Sequence, residues 1–203
     1  MIIEQPSKWL RWIYPHALWR MDTTEHAVYL TFDDGPIPES TPFILDTLKK
    51  YNVKATFFMV GDNVHKYPDL YRRIINEGHQ VGNHTYNHLG CLKHYVPTYY
   101  NNIEKANELI HSNLFRPPHG WMWLSAYKLI RRKYKIVMWD LVTRDYSRRL
   151  NAFDVLRNVV LYARNGSIIT FHDSLKSIEK LHYALPAAIR YLQEQGFEFK
   201  TFD

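Results

Sequence analysis

Short β-rich apolar runs alternate with amphipathic stretches along nearly the whole chain, and that alternation narrows the fold more than any other feature. Apolar runs at residues 28–32, 55–60, 80–82, 135–139, 167–171 and 197–202 read as buried strands, with Leu114-Phe115 as a further short pair. Residues 41–51, 68–77, 124–132, 153–163 and 181–194, and a stretch opening at Pro97, read as helices. Pro68 opens one of them; Gly78 and Gly196 mark two of the stops. About seven strands alternating with about six helices imply a parallel α/β architecture. At 203 residues, with no internal repeat or linker, this is one domain with room for a large core. Residues 1–26 precede the first strand and are expected to pack across it as an N-terminal arm; residues 27–203 form the domain proper.

An open doubly wound sheet and a barrel both satisfy this pattern. The unusual polar residues favour a barrel. Asp33-Asp34, His84 and His88, Arg116, Asp140, Asp145 and His172 all follow strands. In a (β/α) barrel those strand ends converge on one face, where active sites form, whereas in an open sheet only the ends at a switch point meet.

Composition excludes several roles. The net charge of +6 is modest, and the basic pairs are scattered with no stripe of interleaved aromatics, so no nucleic-acid partner is expected. Lone Cys91 rules out an internal disulfide and reads as structural. Met1 to Arg20 is broken by Glu4, Lys8, Arg11 and Pro15. No signal peptide or transmembrane helix is visible; the cytoplasm is the expected location, with the cell envelope as the alternative. Trp9, Trp12, Tyr14 and Trp19 beside basic residues suit a membrane surface, but a packed arm is the expected outcome, without stable membrane insertion.

Adjacent carboxylates repel, so Asp33 and Asp34 require a cation or a shared proton unless they merely form an Asp-Asp-Gly turn. His84 and His88 are spaced i, i+4, which on one helical turn points both imidazoles the same way. Two histidines and one carboxylate make an open, catalytic zinc site; a closed structural site would use several cysteines.

Thr31-Phe32-Asp33-Asp34-Gly35, His84-Thr85-x-x-His88, Arg116-Pro117-Pro118-x-Gly120, Asp145 and His172 resemble, in order, the five motifs of the NodB-type polysaccharide deacetylases, carbohydrate esterase family four. The resemblance spans residues 28–202. It implies a distorted (β/α) barrel and metal-dependent removal of N- or O-acetyl groups from polysaccharides, with 27–203 as the catalytic domain. By position it makes Asp34, His84 and His88 ligands of a divalent metal, with Zn2+ the expected ion. Asp33 would be the general base, oriented by Arg116, and His172 the general acid, tuned by Asp145. The backbone N–H of His119 would help hold the oxyanion.

Three positions depart from the family pattern. His119 stands where tyrosine is usual, Tyr146 where tryptophan is usual, and Thr170 where leucine is common on the acetyl-methyl wall. Trp121 and Trp123 follow the arginine motif and suit sugar stacking as well as core packing. The expected partner is an acetylated glycan such as a chitin oligomer or peptidoglycan. The same machinery acting on a non-sugar amide or ester, and a glycan-binding module without turnover, are the alternatives. Oligomeric state has no signature in the sequence.

Overall fold

The computed structural model describes residues 4–21 and 24–202. Residues 1–3, 22 and 23 of the arm, and residue 203, lie outside the described residues. The elements in chain order are α1 (Lys8–Ile13), β1 (Ala27–Asp33), α2 (Thr41–Lys50), β2 (Thr56–Met59), α3 (Gly61–Lys66), α4 (Pro68–Asn76), β3 (Gln80–Asn83), α5 (Val96–Ile110), β4 (Leu114–Phe115), α6 (Leu124–Ile130), β5 (Lys135–Ile136), β6 (Leu141–Val142), α7 (Ala152–Tyr162), β7 (Ile168–His172), α8 (Ile178–Glu194) and β8 (Glu198–Phe199).

Seven parallel strands curl into a half-barrel in the order β5-β4-β3-β2-β1-β7-β6, and β8 adds to the start of β1. β1 is central because every residue in it is buried on both faces. Its alternation decides what each face carries. Val28, Leu30 and Phe32 point outward into the main core with Leu45 and Leu48 of α2 and Leu185 and Ile189 of α8. Tyr29, Thr31 and Asp33 occupy the other face. β7 repeats the pattern: Ile169 and Phe171 join the main core, and Ile168, Thr170 and His172 alternate with them. Tyr29, Phe58, Leu114, Val137, Ile168 and Phe202 plug the bottom of the half-barrel. Side chains become polar toward the strands' C-terminal ends, so the mouth is the part of this interior furnished for chemistry.

Several elements differ from the sequence reading. The run 135–139 is a ladder strand only over β5. Beyond it, Arg116 takes the carbonyls of Val137 and Met138 through Nε and Nη2, at 3.2 and 2.7 Å, so those acceptors are not free for a neighbouring strand. The last strand contracts from 197–202 to β8. β6 and α3 have no counterpart in the sequence reading: β6 is two residues long, and α3 is one short helix directly after β2. Among the described residues β5 and β6 do not pair with each other, and the chain between them spans the gap. The arm adds backbone there, with Leu18 bridging Val137 and Arg20 bridging Ser167. Tyr14 and Trp19 of the arm are buried in a second core with Phe115, Tyr134 and Met138. No helix among the described residues is long and apolar enough to cross a membrane.

Candidate metal and acid–base site

The register of β1 and β7 sets Asp33 directly beside His172. Asp33 is buried, and its Oδ1 accepts from Arg116 Nη1 at 2.6 Å. Arg116 itself is fully buried. It also donates to Thr31 Oγ1 at 2.8 Å and lies 4.1 Å over the Phe58 ring. All its polar contacts are thus inside the half-barrel, which fixes the guanidinium and therefore the carboxylate.

Asp34 leaves the strand with φ of +82°, a conformation rare for a residue with a side chain. Asn63 of α3 holds its carbonyl at 2.8 Å. The turn points the Asp34 carboxylate at two imidazoles: Oδ1 lies 3.7 Å from His84 Nε2 and 3.3 Å from His88 Nε2. Burial pushes the carboxyl pKa up, but His88, His172 and His84 outweigh it and hold Asp34 well below the usual carboxylate range.

His84 and His88 are not on a helical turn, contrary to the sequence reading. They sit on the loop after β3, where Thr85 and His88 both have positive φ, at 67° and 56°. Asn83 Oδ1 accepts from the Thr85 N–H, and Thr85 Oγ1 accepts from the Leu89 N–H, so side chains replace helical hydrogen bonds. His84 Nδ1 is 2.7 Å from the Arg116 carbonyl, an acceptor that requires an N–H there. Nε2 is left as the lone-pair nitrogen facing Asp34. Burial drops the His84 pKa to about 4, against the pull of Asp33 and Asp34, so the ring is neutral at neutral pH.

These residues fit a divalent cation. One ligand atom from each of Asp34, His84 and His88 lies within 4.8 Å of the others. Asp34 Oδ1 is buried and has no hydrogen-bond partner among the described residues. Such an orphaned acceptor beside two imidazoles is expected where an ion completes the site.

His172 faces the same cleft. Its Nδ1–H donates to Asp145 Oδ1 at 2.8 Å, and its backbone N–H donates to Asp145 Oδ2 at 2.7 Å. Burial disfavours the imidazolium, but Asp145, with Asp34 and Asp33 adding to it, raises the pKa to about 9. The ring is therefore a protonated donor near neutrality, with Nε2 left for the cleft.

The polysaccharide deacetylase family model matches residues 20–136. The chain belongs to this family. It is 36% identical over 188 residues to a peptidoglycan-N-acetylglucosamine deacetylase of Listeria monocytogenes, covering 89% of this chain but only 39% of that protein. The chain therefore spans well under half the length of that curated relative. A solved peptidoglycan N-acetylglucosamine deacetylase, in complex with 4-naphthalen-1-yl-N-oxidanyl-benzamide, superposes with a TM-score of 0.87 at 36% identity, covering 97% of this chain and 94% of that one. A carbohydrate esterase family four pseudoenzyme from Bacillus anthracis also matches, with a TM-score of 0.80 at 28% identity over 91% of this chain and 66% of that one. The fold thus occurs in a protein described as a pseudoenzyme, and side chains at the mouth have to carry any argument about activity.

Within this chain the remaining singled-out residues divide in two. His119, Trp121, Tyr146 and Thr170 line one cleft of about 680 Å³ with Asp33, Asp34, His84, His88 and His172. His119 has φ of 61°, and its ring stands edge-on to His88 at 4.9 Å. Tyr146 stands edge-on to His172 at 4.7 Å. Trp123 is exposed and is not among the cleft's lining residues; its backbone N–H points at Cys91 Sγ. Asp140 also stays outside the cleft, bound to Arg11 and Arg164.

Sequence reasoning missed Asn63, which holds Asp34; Trp139 and Val142, which wall the cleft; and Trp9 and Leu10, which the arm brings to it. It also missed Lys180, whose Nζ donates to the Asp145 carbonyl at 2.7 Å. Trp139 carried a signal as an aromatic at the end of an apolar run, and Trp9 only as one of the arm's aromatics. The others reach the site from α1, α3, β6 and α8, elements with no motif of their own.

Proposed function

We propose that this chain is a zinc-dependent deacetylase that removes acetyl groups from an N-acetylated glycan. The observation that carries this reading is the convergence, at one mouth, of a metal-competent triad with an arginine-held carboxylate and a carboxylate-held imidazolium.

Asp34, His84 and His88 would hold the ion. When bound, it polarises the acetyl carbonyl and lowers the pKa of the attacking water. Asp33 accepts the proton of that water; Arg116 occupies its Oδ1 and keeps the carboxylate aimed from the β1 end. The backbone N–H of His119, on its left-handed turn, supports the oxyanion. His172 delivers its proton from Nε2 to the leaving nitrogen, and Asp145 keeps the ring charged and oriented until then. Val142 and Trp139 supply apolar surface next to Tyr146 and Thr170, which supports a small acyl group despite the polar substitutions there.

The test is acetate release from N-acetylglucosamine oligomers, peptidoglycan fragments and a small acylamide. It is run on chelated protein and again after zinc is restored. Zinc-dependent acetate from the glycans is the expected result. Zinc-dependent turnover of the acylamide alone would move the substrate class away from sugars. Zinc binding with no acetate would sink the activity, and no zinc binding would sink the metal assignment beneath it.

A further inference from the structure

The cleft has one wall that does not come from the half-barrel. Pro6, Ser7, Trp9 and Leu10 of the arm line it together with the metal triad. The arm is fastened on both sides of Trp9. Before it, Glu4 pairs with Arg144, and the Glu4 carbonyl accepts from the Val142 N–H at 2.8 Å. After it, Arg11 reaches the buried Asp140 at 2.6 Å, and buried Tyr14 donates to the Met122 carbonyl at 2.6 Å. Trp9 is therefore held at the cleft although it is 55% exposed. Trp121, 39% exposed, meets it from the loop after β4 at a ring separation of 6.1 Å and an interplanar angle of 33°. Two large indoles kept half in water at a fixed spacing leave apolar area unburied, which favours a ligand with a flat apolar face. The cleft volume of about 680 Å³ is also far more than an acetamido group fills.

We propose that Trp9 and Trp121 form a stacking subsite for a pyranose ring adjacent to the one that carries the reacting acetyl group. The N-terminal arm then helps to select glycan length. This rests on the deacetylase reading for the identity of the ligand. A pyranose suits the subsite because its C–H face is apolar while its hydroxyl edge stays wet, matching indoles at an open rim.

The experiment uses the full zinc-loaded chain and two substrates, an N-acetylglucosamine hexamer and 4-nitrophenyl acetate, which carries no sugar. In Trp9→Ala and in Trp121→Ala, the ratio of kcat/KM for hexamer to kcat/KM for the ester is expected to fall about tenfold, through KM. Trp9→Phe recovers most of the loss. Trp12→Ala, on α1 but not lining the cleft, keeps the wild-type ratio. An unchanged ratio in Trp9→Ala, or equal losses on both substrates, overturns the subsite. If the wild type cleaves the ester and no oligomer, the deacetylase reading fails separately. Calorimetric titration of hexamer into chelated protein then decides the subsite alone: about tenfold weaker binding in Trp9→Ala supports it, and equal or absent binding overturns it.

Discussion

Asp33 and Asp140 both follow β-rich runs and are both buried against arginine, yet they are wired in opposite ways. Asp140 is saturated. Its Oδ1 accepts from Arg11 and Arg164 at 2.6 and 2.7 Å, and its Oδ2 accepts from Arg164 Nε and Ser167 Oγ at 2.9 and 2.8 Å. Burial pushes its carboxyl pKa up, but Arg164, Arg11 and Ser167 hold it below the usual range. Among the described residues, Asp33 has a side-chain partner on Oδ1 alone, and its carboxylate lines the cleft. A fully bonded buried carboxylate ties the arm to the half-barrel. One left half-bonded at a strand end is free to accept a proton.

The sharpest way to break this contrast is Asp33→Asn. Acetate release is expected to fall about a thousandfold, within the range for losing a general base, while bound zinc stays near one per chain by elemental analysis. Near-normal turnover would make Asp33 a structural partner of Arg116, as Asp140 is of its arginines. Metal removal tests the same side of the molecule. Chelation is expected to lower urea-unfolding stability by about 4 kcal/mol relative to protein in zinc at a thousand times its Kd. Asp34→Asn should erase that difference, and a difference that survives the substitution would place the ion elsewhere.

Asp140→Asn addresses the other side. It is expected to cost about 2 kcal/mol in the same unfolding assay, because Arg11 and Arg164 are partly exposed and water takes over part of their solvation. Turnover of 4-nitrophenyl acetate per folded molecule should hold. Loss of that turnover would show that the latch is part of the chemistry.

The smallest effect concerns His172. Its pKa is raised from 6.5 to about 9, so its pairing with Asp145 contributes stability that is fully present below pH 6.5. That stability is lost as pH rises toward 9. Chelated protein should therefore melt progressively lower from pH 6.5 to 9. Asp145→Asn should flatten the decline and move the alkaline limb of activity down by about one pH unit, worth about 1.4 kcal/mol. A melting temperature equally pH-dependent in the variant would remove Asp145 as the cause.

The alternation of elements and the polar residues at strand ends were legible because they are local. β-rich runs, a proline start and glycine stops mark strands and helices one segment at a time. Asp33, Asp34, His84, His88, Arg116, Asp145 and His172 stood out as charged or imidazole groups where apolar runs end; five of them line one cleft, and buried Arg116 and Asp145 bond to Asp33 and His172 there. The His84–His88 spacing was legible too, but its cause was not. Four residues apart suggests a helix, whereas the loop is held by Asn83 and Thr85 side chains and left-handed backbone at Thr85 and His88. No periodicity in sequence encodes that arrangement.

Trp121 and Trp123 show the limit most plainly. Two positions apart in the same loop, they were indistinguishable as sequence. The fold turns Trp121 toward the cleft and leaves Trp123 outside it. How the oxygens of Asp33 and Asp140 are bonded likewise depends on Arg116, Arg11 and Arg164, which lie 83, 129 and 24 residues away along the chain.

The sequence by itself determined the parallel α/β order, the family and the inventory of groups able to bind a metal and move protons. Those follow from residue types and short-range pattern. Tertiary structure alone decided that β5 is cut short by Arg116, that α3 delivers Asn63 to Asp34, and that the arm closes one side of the cleft with Trp9. Each of these depends on hydrogen-bonding groups and apolar faces that meet only once distant segments share one core.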